Sequence, residues 1–286
     1  MAGPRRGYWF ECVRCGHLAS DLEPAIGDPD CATLDEGLRG EALQDLRRQN
    51  FERILDVLEP MRTPGNARLL DVGCAHGWFL EAARSRGYDA LGLEPDAAIA
   101  ALARGKGLSV IDGYFPDALP AGERYDVITF NDVYEHLPDP RAAARACFER
   151  LRPGGLLVMN LPSSRGALFR LARLLDRVGI SGPLDRLWQR GFPSPHLSYF
   201  HPEGLAWVMA RAGFREIHRG SLVTFTHAGL WQRLRWDRRS ALPIALAMWA
   251  GLSIMIPFAR LLPSDISLQV FVRADAEPDS VPGPRP

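Results

Sequence analysis

Apolar runs and amphipathic stretches alternate along the chain from about residue 50 onwards. Seven short apolar runs predict strands near residues 68–71, 89–93, 108–111, 125–130, 155–160, 214–225 and 266–273. Apolar residues at helical spacing fill the intervals, and the stretch 36–60 predicts a further helix ahead of the first strand. Strands that alternate with helices indicate an α/β fold with a mostly parallel sheet, whose ligand site lies beyond the carboxyl ends of the strands.

The loop after the first predicted strand combines an acid with small residues. These residues are Asp71, Gly73, Cys74, Ala75 and Gly77. Glycine adopts backbone angles that are closed to other residues and lets a ligand approach the main chain. Glu94 ends the next predicted strand 21 positions after Gly73, close to the spacing at which a carboxylate binds ribose hydroxyls. Together the loop and the acid predict a crevice for an adenosine-bearing cofactor.

The residue that follows the loop discriminates between two such cofactors. Dinucleotide binding needs a third small residue for close helix–strand packing, whereas Trp78 stands at that position. The pattern Asp71-x-Gly73-x-Ala75-x-Gly77 instead resembles motif I of class I S-adenosylmethionine-dependent methyltransferases, with Ala75 in place of the usual central glycine. A nicotinamide-dependent oxidoreductase is thereby disfavoured.

Three later segments continue this resemblance, which covers about residues 50–275. The run Glu135-His136-Leu137-x-Asp139-Pro140 is typical of the ubiquinone-biosynthesis-like branch. Residues 151–160 resemble the turn into the family's fifth strand, and Ala212-Gly213-Phe214 resembles the opening of its sixth. The resemblance implies a seven-stranded, doubly wound, Rossmann-like sheet with an antiparallel last strand, and S-adenosyl-L-methionine as the cofactor.

The resemblance also implies which residues bind that cofactor. The set comprises Asp71, Gly73, Cys74, Ala75, Gly77, Glu94, Asp112, Asn131 and Asp132. Asp112 stands where the family usually places a contact to the adenine amino group. The alternative is that Asp112 only forms the turn before Gly113.

Three histidines are candidates for a catalytic base, because a base assists transfer to a hydroxyl or an acidic carbon and histidine titrates near neutral pH. They are His136, His196 and His201. The segment 195–202 resembles a histidine-containing block of sugar C-methyltransferases, which makes His196 the first choice. A hydrogen bond that closes a lid is the alternative for His196, and orientation of the cofactor loop is the alternative for His136.

The first 35 residues predict a separate segment that resembles half of a zinc ribbon. Two thiolates two residues apart can grip one metal ion, and a full site needs four ligands. The candidate ligands of a structural zinc ion are Cys12, Cys15, His17 and Cys31. The alternative is a short extended hairpin with reduced cysteines.

Two insertions interrupt the domain predicted for residues 36–275. Residues 162–195 predict arginine-rich amphipathic helices that form a lid, and residues 228–262 predict a hydrophobic helical segment. Ser240 to Ala259 carries no formal charge, yet the strand near 266–273 must return to the same sheet, which argues against a membrane span. We expect peripheral contact with a membrane surface, against the alternative of helices packed on their own domain. Residues 276–286 predict a disordered tail.

Composition limits the partners. Thirty-four basic and 34 acidic side chains give a net charge of zero, and no basic stripe with interleaved aromatics predicts nucleic-acid binding. The N-terminus lacks the apolar core of a signal peptide, which favours a cytoplasmic protein. Such a protein could still contact the inner membrane surface. The predicted activity is methyl transfer to a hydroxyl or carbon of a small-molecule or lipid-linked acceptor. A non-catalytic, cofactor-binding regulatory module is the remaining alternative.

Overall fold

A small antiparallel unit precedes a large sheet. The computed structural model describes residues 2–13, 15–25, 36–62, 65, 67–224, 226–227, 229–235 and 242–274. Cys31, the tail 276–286 and parts of both the N-terminal segment and the hydrophobic insertion therefore lie outside the described residues. The first elements are β1 (Ala2–Arg6), β2 (Trp9–Cys12), β3 (Leu18–Ser20) and α1 (Glu36–Leu58).

Strands and helices then alternate as the hydrophobic pattern predicts. The first half comprises β4 (Arg68–Val72), α2 (Trp78–Ser85), β5 (Asp89–Glu94), α3 (Ala97–Gly105), β6 (Ser109–Asp112), β7 (Tyr125–Asn131) and α4 (Pro140–Arg150). A 3-10 helix, Tyr134–His136, lies between the last two. Asp96 accepts hydrogen bonds from the backbone of Ala98 and Ile99, which satisfies donors at the start of α3 and begins that helix.

The second half carries both insertions. It comprises β8 (Leu151–Pro162), α5 (Ala167–Arg177), α6 (Gly182–Leu187), β9 (Ser198–Tyr199), α7 (Pro202–Arg211), β10 (Phe214–Ser221), α8 (Leu230–Arg235), α9 (Leu242–Met255) and β11 (Ile266–Arg273). A 3-10 helix, Ile256–Leu261, follows α9. Within the described residues, no helix is both long and apolar enough to cross a bilayer.

Seven strands form the main sheet in the order β10-β11-β8-β7-β4-β5-β6. The strands from β8 to β6 are parallel, whereas β11 pairs antiparallel with both β8 and β10. The expected seven strands and the antiparallel last strand are thus confirmed. The sixth strand stops at Ser221 and not near residue 225, because its partner β11 begins at Ile266 and the pairing ends there.

The reversal of strand order at β4 positions the site. Strands β5 and β6 follow β4 on one side of it in the sheet, and β7 pairs with its other side. The loops after β4 and β7 therefore lead away in opposite directions and leave a crevice at the carboxyl edge between them. Two apolar layers bury the sheet, and Leu69 and Leu70 of β4 are both fully buried, one in each layer. The carboxyl ends of β4, β5 and β7 therefore lie on a rigid support.

The N-terminal unit is joined to the lid insertion. Strand β3 pairs antiparallel with β9, which follows α6, so β1, β2, β3 and β9 form a second sheet. Trp9 and Leu18 pack into one buried cluster with Phe169, Trp188 and Tyr199. This packing and the β3–β9 pairing join the first strands to the insertion that follows β8.

Candidate active site

Asp71 lies near the carboxyl end of β4 and is almost fully buried. Its Oδ1 accepts hydrogen bonds from the Thr129 hydroxyl at 2.7 Å and from the Asn131 amide at 2.9 Å. Burial raises the pKa of Asp71 to about 7, and these hydrogen bonds oppose the rise only in part. Thr129 and Asn131 are two residues apart on β7, which places both side chains on one face.

The loop after Asp71 takes left-handed backbone angles at three positions. The φ angles are +71° at Gly73, +46° at Ala75 and +77° at Gly77. A Cβ on Gly73 would lie 2.6 Å from Val133, and one on Gly77 would collide with Leu108. Both glycines are therefore required by close approach as well as by backbone angle.

Glu94 lies beside this loop at the carboxyl end of β5. Its Oε2 accepts the Ala75 N–H at 2.9 Å and its Oε1 accepts the Asp96 N–H at 3.0 Å. Burial raises the pKa of Glu94, and the negative charge of Glu94 adds to the rise at Asp71. The structure therefore brings the loop, Asp71 and Glu94 together at one edge.

The other predicted cofactor residues fall into two groups. Asp112 is the register partner of Glu94 on β6, but its exposed carboxylate forms an ion pair with Arg104 at 2.5 Å. Cys74 is buried against β5, and burial raises the pKa of its thiol, so it acts as a small apolar residue. Both residues border the crevice without a contact that defines a ligand.

Asn131 and Asp132 follow Asp71 around the crevice on the β7 side. The buried Oδ1 of Asn131 has no hydrogen-bond partner among the described residues. Asp132 has a left-handed φ of +56°, and its carboxylate lies 3.8 Å from the Arg47 guanidinium of α1. Helix α1 thus reaches the crevice, and Arg47 is a site residue that the sequence analysis missed.

The rings of His136 and His196 lie against each other, with centroids 4.7 Å apart. His136 is partly exposed, and its Nδ1 donates to the Pro195 carbonyl at 2.8 Å, which leaves Nε2 as the basic nitrogen. His196 is buried, and its Nε2 lies 2.9 Å from the Gln189 amide nitrogen. Burial lowers the pKa of His196 well below its usual range, and the charge of the neighbouring His136 adds to this effect. The ring of His196 is therefore neutral.

Glu135 completes this cluster and was not a predicted site residue. Its Oε1 lies 4.0 Å from His196 Nε2, and burial raises the pKa of Glu135 well above its usual range. Among the described residues, Glu135, His136 and His196 are the one group whose potential metal-ligand atoms lie within 4.8 Å of one another. Two imidazoles and a carboxyl could hold a divalent metal ion.

His201 is separated from this chemistry by its hydrogen bonds. Its Nδ1 accepts the Gly204 N–H at 3.1 Å as the N-cap of α7, and its Nε2 donates to the Cys15 carbonyl at 2.8 Å. Both ring nitrogens of His201 therefore hold hydrogen bonds within the folded chain, and its role as a catalytic base stays a prediction.

The N-terminal turn does not support the predicted zinc site. His17 Nε2 lies 3.0 Å from the Ser198 hydroxyl, and its ring stacks on Phe200 at 4.6 Å. Burial raises the pKa of the Cys15 thiol, and the neighbouring Cys12 thiol adds to the rise. Cys12, Cys15 and His17 form no metal-ligand group among the described residues, and Cys31 lies outside them.

Comparison with known proteins agrees with this architecture. A family model described as a methyltransferase domain matches residues 44–219. This match covers more than half of the chain, and the chain belongs to that methyltransferase family. The fold and the loop–acid pair at its carboxyl edge thus define a class I methyltransferase domain.

Curated relatives add a narrower similarity. Ubiquinone biosynthesis O-methyltransferase of Cereibacter sphaeroides is 34% identical over 128 residues, which span 43% of this chain and 51% of that protein. The Aliivibrio fischeri protein of the same name is 33% identical over 161 residues, or 52% of this chain and 68% of that protein. The chain therefore spans about half the length of the first relative and about two thirds of the second.

Solved structures share the fold. A Haemonchus contortus phosphoethanolamine N-methyltransferase, in complex with phosphomonomethylethanolamine and S-adenosylhomocysteine, gives a TM-score of 0.57 at 13% identity, over 84% of this chain and 57% of that one. An S-adenosylmethionine-dependent methyltransferase of Mesorhizobium loti gives a TM-score of 0.51 at 17% identity, over 83% of this chain and 100% of that one. At these identities the likeness concerns architecture alone.

Proposed function

We propose that the protein transfers a methyl group from S-adenosyl-L-methionine to a hydroxyl oxygen of a small-molecule or lipid-linked acceptor. The observation that carries this proposal is the pair of buried acids, Asp71 and Glu94, beside a glycine loop. Burial raises the pKa of both acids, and a positively charged ligand beside them would favour their ionised forms. The pyrophosphate of a nicotinamide dinucleotide would add negative charge at the same place.

The residues at this edge fit a sulfonium nucleoside. Glu94 uses one lone pair of each oxygen for a backbone N–H and keeps others for ribose hydroxyls. The unpartnered Oδ1 of Asn131 offers an acceptor to an ammonium group. The left-handed angles of Gly73 and Ala75 keep the main chain open to the ligand. Asp112 remains a proposed adenine contact, which would require release from Arg104.

The sulfonium group supplies an already activated electrophilic methyl, so the chain's task is to orient the acceptor and remove its proton. His136 is the proposed general base, because its Nδ1 donates to the Pro195 carbonyl, so the lone pair of the neutral ring lies on Nε2. His196 is the proposed positioning residue, since a buried neutral ring against His136 holds that imidazole in place. In the balanced step, the acceptor oxygen gains the methyl, its proton passes to His136, and the C–S electron pair stays on sulfur.

Hydroxyl oxygen is preferred over carbon because the curated relatives are named as O-methyltransferases. A partly exposed histidine also suits the proton of a phenolic or similarly acidic hydroxyl.

Calorimetric titration with S-adenosylhomocysteine, S-adenosylmethionine and NAD tests the cofactor. We expect binding of both adenosyl ligands and none of NAD, and a loss of about tenfold or more in Glu94→Gln, because a hydrogen bond to a charged group contributes about 1.5–3 kcal/mol. Asp89→Asn, at the opposite end of the same strand, is the matched control and should bind normally. Tight NAD binding without adenosyl ligand binding would overturn the proposal.

Methyl transfer itself is tested by screening hydroxylated isoprenoid quinone precursors, nucleotide sugars and lipids, with product mass as the readout. A mass increase of one methyl group on oxygen is the expected result. Binding of S-adenosylmethionine with no transfer to any acceptor would favour the regulatory-module alternative instead.

A further inference from the structure

The insertion between β10 and β11 exposes an unusual amount of apolar surface. We define the apolar ridge as the exposed side chains of α9 and the residues after it: Leu242, Ile244, Leu246, Met248, Trp249, Ile254, Phe258, Leu261 and Leu262. Ile254 is 70% exposed and Leu261 is 81% exposed. Nine exposed apolar side chains within residues 242–262 favour an interaction site, because apolar residues on the surface of a soluble monomer are usually scattered singly.

Helix α9 is apolar on nearly all sides. One stripe, Ala245, Leu252 and Ile256, packs against Leu230 and Leu234 of α8. The remaining positions of Leu242–Met255 carry no charge. A helix that is apolar on nearly every face is stable where that surface is covered, and the acyl chains of one leaflet can cover the faces that α8 leaves open.

The length of α9 and its place in the chain determine how it can meet a bilayer. Fourteen residues span about 21 Å at about 1.5 Å per residue, which is shorter than a hydrocarbon core of about 30 Å. The insertion leaves and re-enters the same sheet through β10 and β11. The helix must therefore lie in the interface and return on the side from which it entered.

Arginines of the lid lie where the ridge ends. The Ala167 N–H of α5 donates to the Pro263 carbonyl at 3.0 Å, and the Leu168 N–H donates to Asp265 at 2.8 Å. A groove of about 490 Å³ at this junction is lined by Ser164, Arg165, Arg170, Arg173 and Pro263. Arg165 and Arg173 form ion pairs with Glu203 and Glu11, whereas Arg170 and Arg177 present exposed side chains from α5.

We infer that the apolar ridge is a membrane-docking surface that inserts into one leaflet, with Arg170 and Arg177 of α5 directed to anionic phosphate headgroups. Apolar insertion beside basic side chains is the combination that binds anionic bilayers. The arginine-bearing insertion also contains Gln189, which contacts His196, so it borders both the docking surface and the histidine cluster. Membrane docking would thus place a lipid-linked acceptor close to the histidines.

Flotation of the full chain with vesicles tests this inference. Vesicles of phosphatidylcholine with and without phosphatidylglycerol are compared at low and high salt, without cofactor or acceptor. We expect flotation with the anionic vesicles and a loss of about tenfold or more in Ile254→Glu and Phe258→Glu, because each removes an apolar side chain from the lipid. Leu102→Glu is the matched control, since Leu102 is 58% exposed on α3, away from the insertions.

Charge-reversal variants of α5 and a measurement of insertion depth extend the test. Arg170→Glu with Arg177→Glu should weaken binding to anionic vesicles and flatten the salt dependence, whereas Arg145→Glu on α4 should bind like the parent chain. Brominated lipid should quench part of the tryptophan fluorescence, and Trp249→Phe should remove that part. Thermal unfolding confirms that each variant is folded.

Two results would overturn the inference. The first is a parent chain that does not float with anionic vesicles at low salt. The second is a lipid-free dimer in sedimentation that Ile254→Glu dissociates, because the ridge would then cover a second copy. Neither result depends on methyl transfer, so failure here is distinguishable from failure of the proposed function.

Discussion

Replacement of Asp71 by asparagine should stabilise the protein without ligand while it weakens the proposed activity. The change keeps the shape of the side chain and an Oδ1 that can accept from Thr129 and Asn131. It removes the charge, which burial disfavours, and replaces Oδ2 by an amide group that donates. Residues that tune a site for a charged ligand often reduce stability in this way.

The magnitude follows from the shift in ionisation. Burial raises the pKa of Asp71 from 3.8 to about 7, and each pKa unit corresponds to about 1.4 kcal/mol, so ionised Asp71 costs about 4 kcal/mol of unfolding free energy. Between the two values the folded state binds more protons than the unfolded state, so this contribution falls as pH rises and levels off above about 7. Screening by solvent does not reduce this free energy, because Asp71 is only 2% exposed.

Urea unfolding of the parent chain and Asp71→Asn at a series of pH values measures the effect. The advantage of the variant should grow by about 1.4 kcal/mol per pH unit between about pH 5 and 7, and then remain constant. Calorimetry should show S-adenosylmethionine affinity reduced by about tenfold or more. Asp89→Asn, an exposed change at the start of β5, should shift stability by no more than about 0.5 kcal/mol at any pH.

The reasoning fails if the advantage of Asp71→Asn does not increase with pH. It also fails in its functional part if the variant is stabilised as expected and binds S-adenosylmethionine as tightly as the parent chain. In that event the buried charge would be a structural feature with no bearing on the ligand.

Five further outcomes are expected. His136→Ala should lower kcat by about 10²–10⁴-fold with unchanged affinity for S-adenosylhomocysteine, as loss of a general base does. His196→Ala should lower turnover more than cofactor affinity. An unchanged kcat in either variant would remove that residue from the mechanism. His201→Ala should cost about 1 kcal/mol of stability through its lost N-cap and leave kcat in place, so a large kcat loss at full stability would support it as a catalytic base. Gly77→Ala should destabilise by more than about 1 kcal/mol, measured by urea unfolding, because its angle and Leu108 both oppose a methyl group. Protein purified without chelator should contain far less than one zinc per chain, and stoichiometric zinc lost on His17→Ala would contradict the assignment of His17 to Ser198.

Local chemistry explains why much of the architecture was predictable. The apolar runs located all seven main strands, because burial on both faces requires continuous hydrophobic sequence, as in the fully buried stretch of β7. The Asp71 loop and the spacing to Glu94 predicted one crevice, since both features follow parallel strands. Arg47 and Gln189 carried no such signal, because their contacts join segments far apart in the chain.

Tertiary contacts decided the roles of the polar residues in those loops. The three candidate histidines are equivalent as residue types, yet one caps α7, one is buried and neutral, and one keeps a basic nitrogen. The cysteine spacing at the N-terminus predicted zinc, whereas the fold directs His17 to Ser198 and pairs β3 with β9. Sequence by itself determined where strands, turns and the crevice lie, because periodicity and backbone angles are local properties. Protonation, partners and exposure depend on what packs against each side chain, and only the folded arrangement supplies those neighbours.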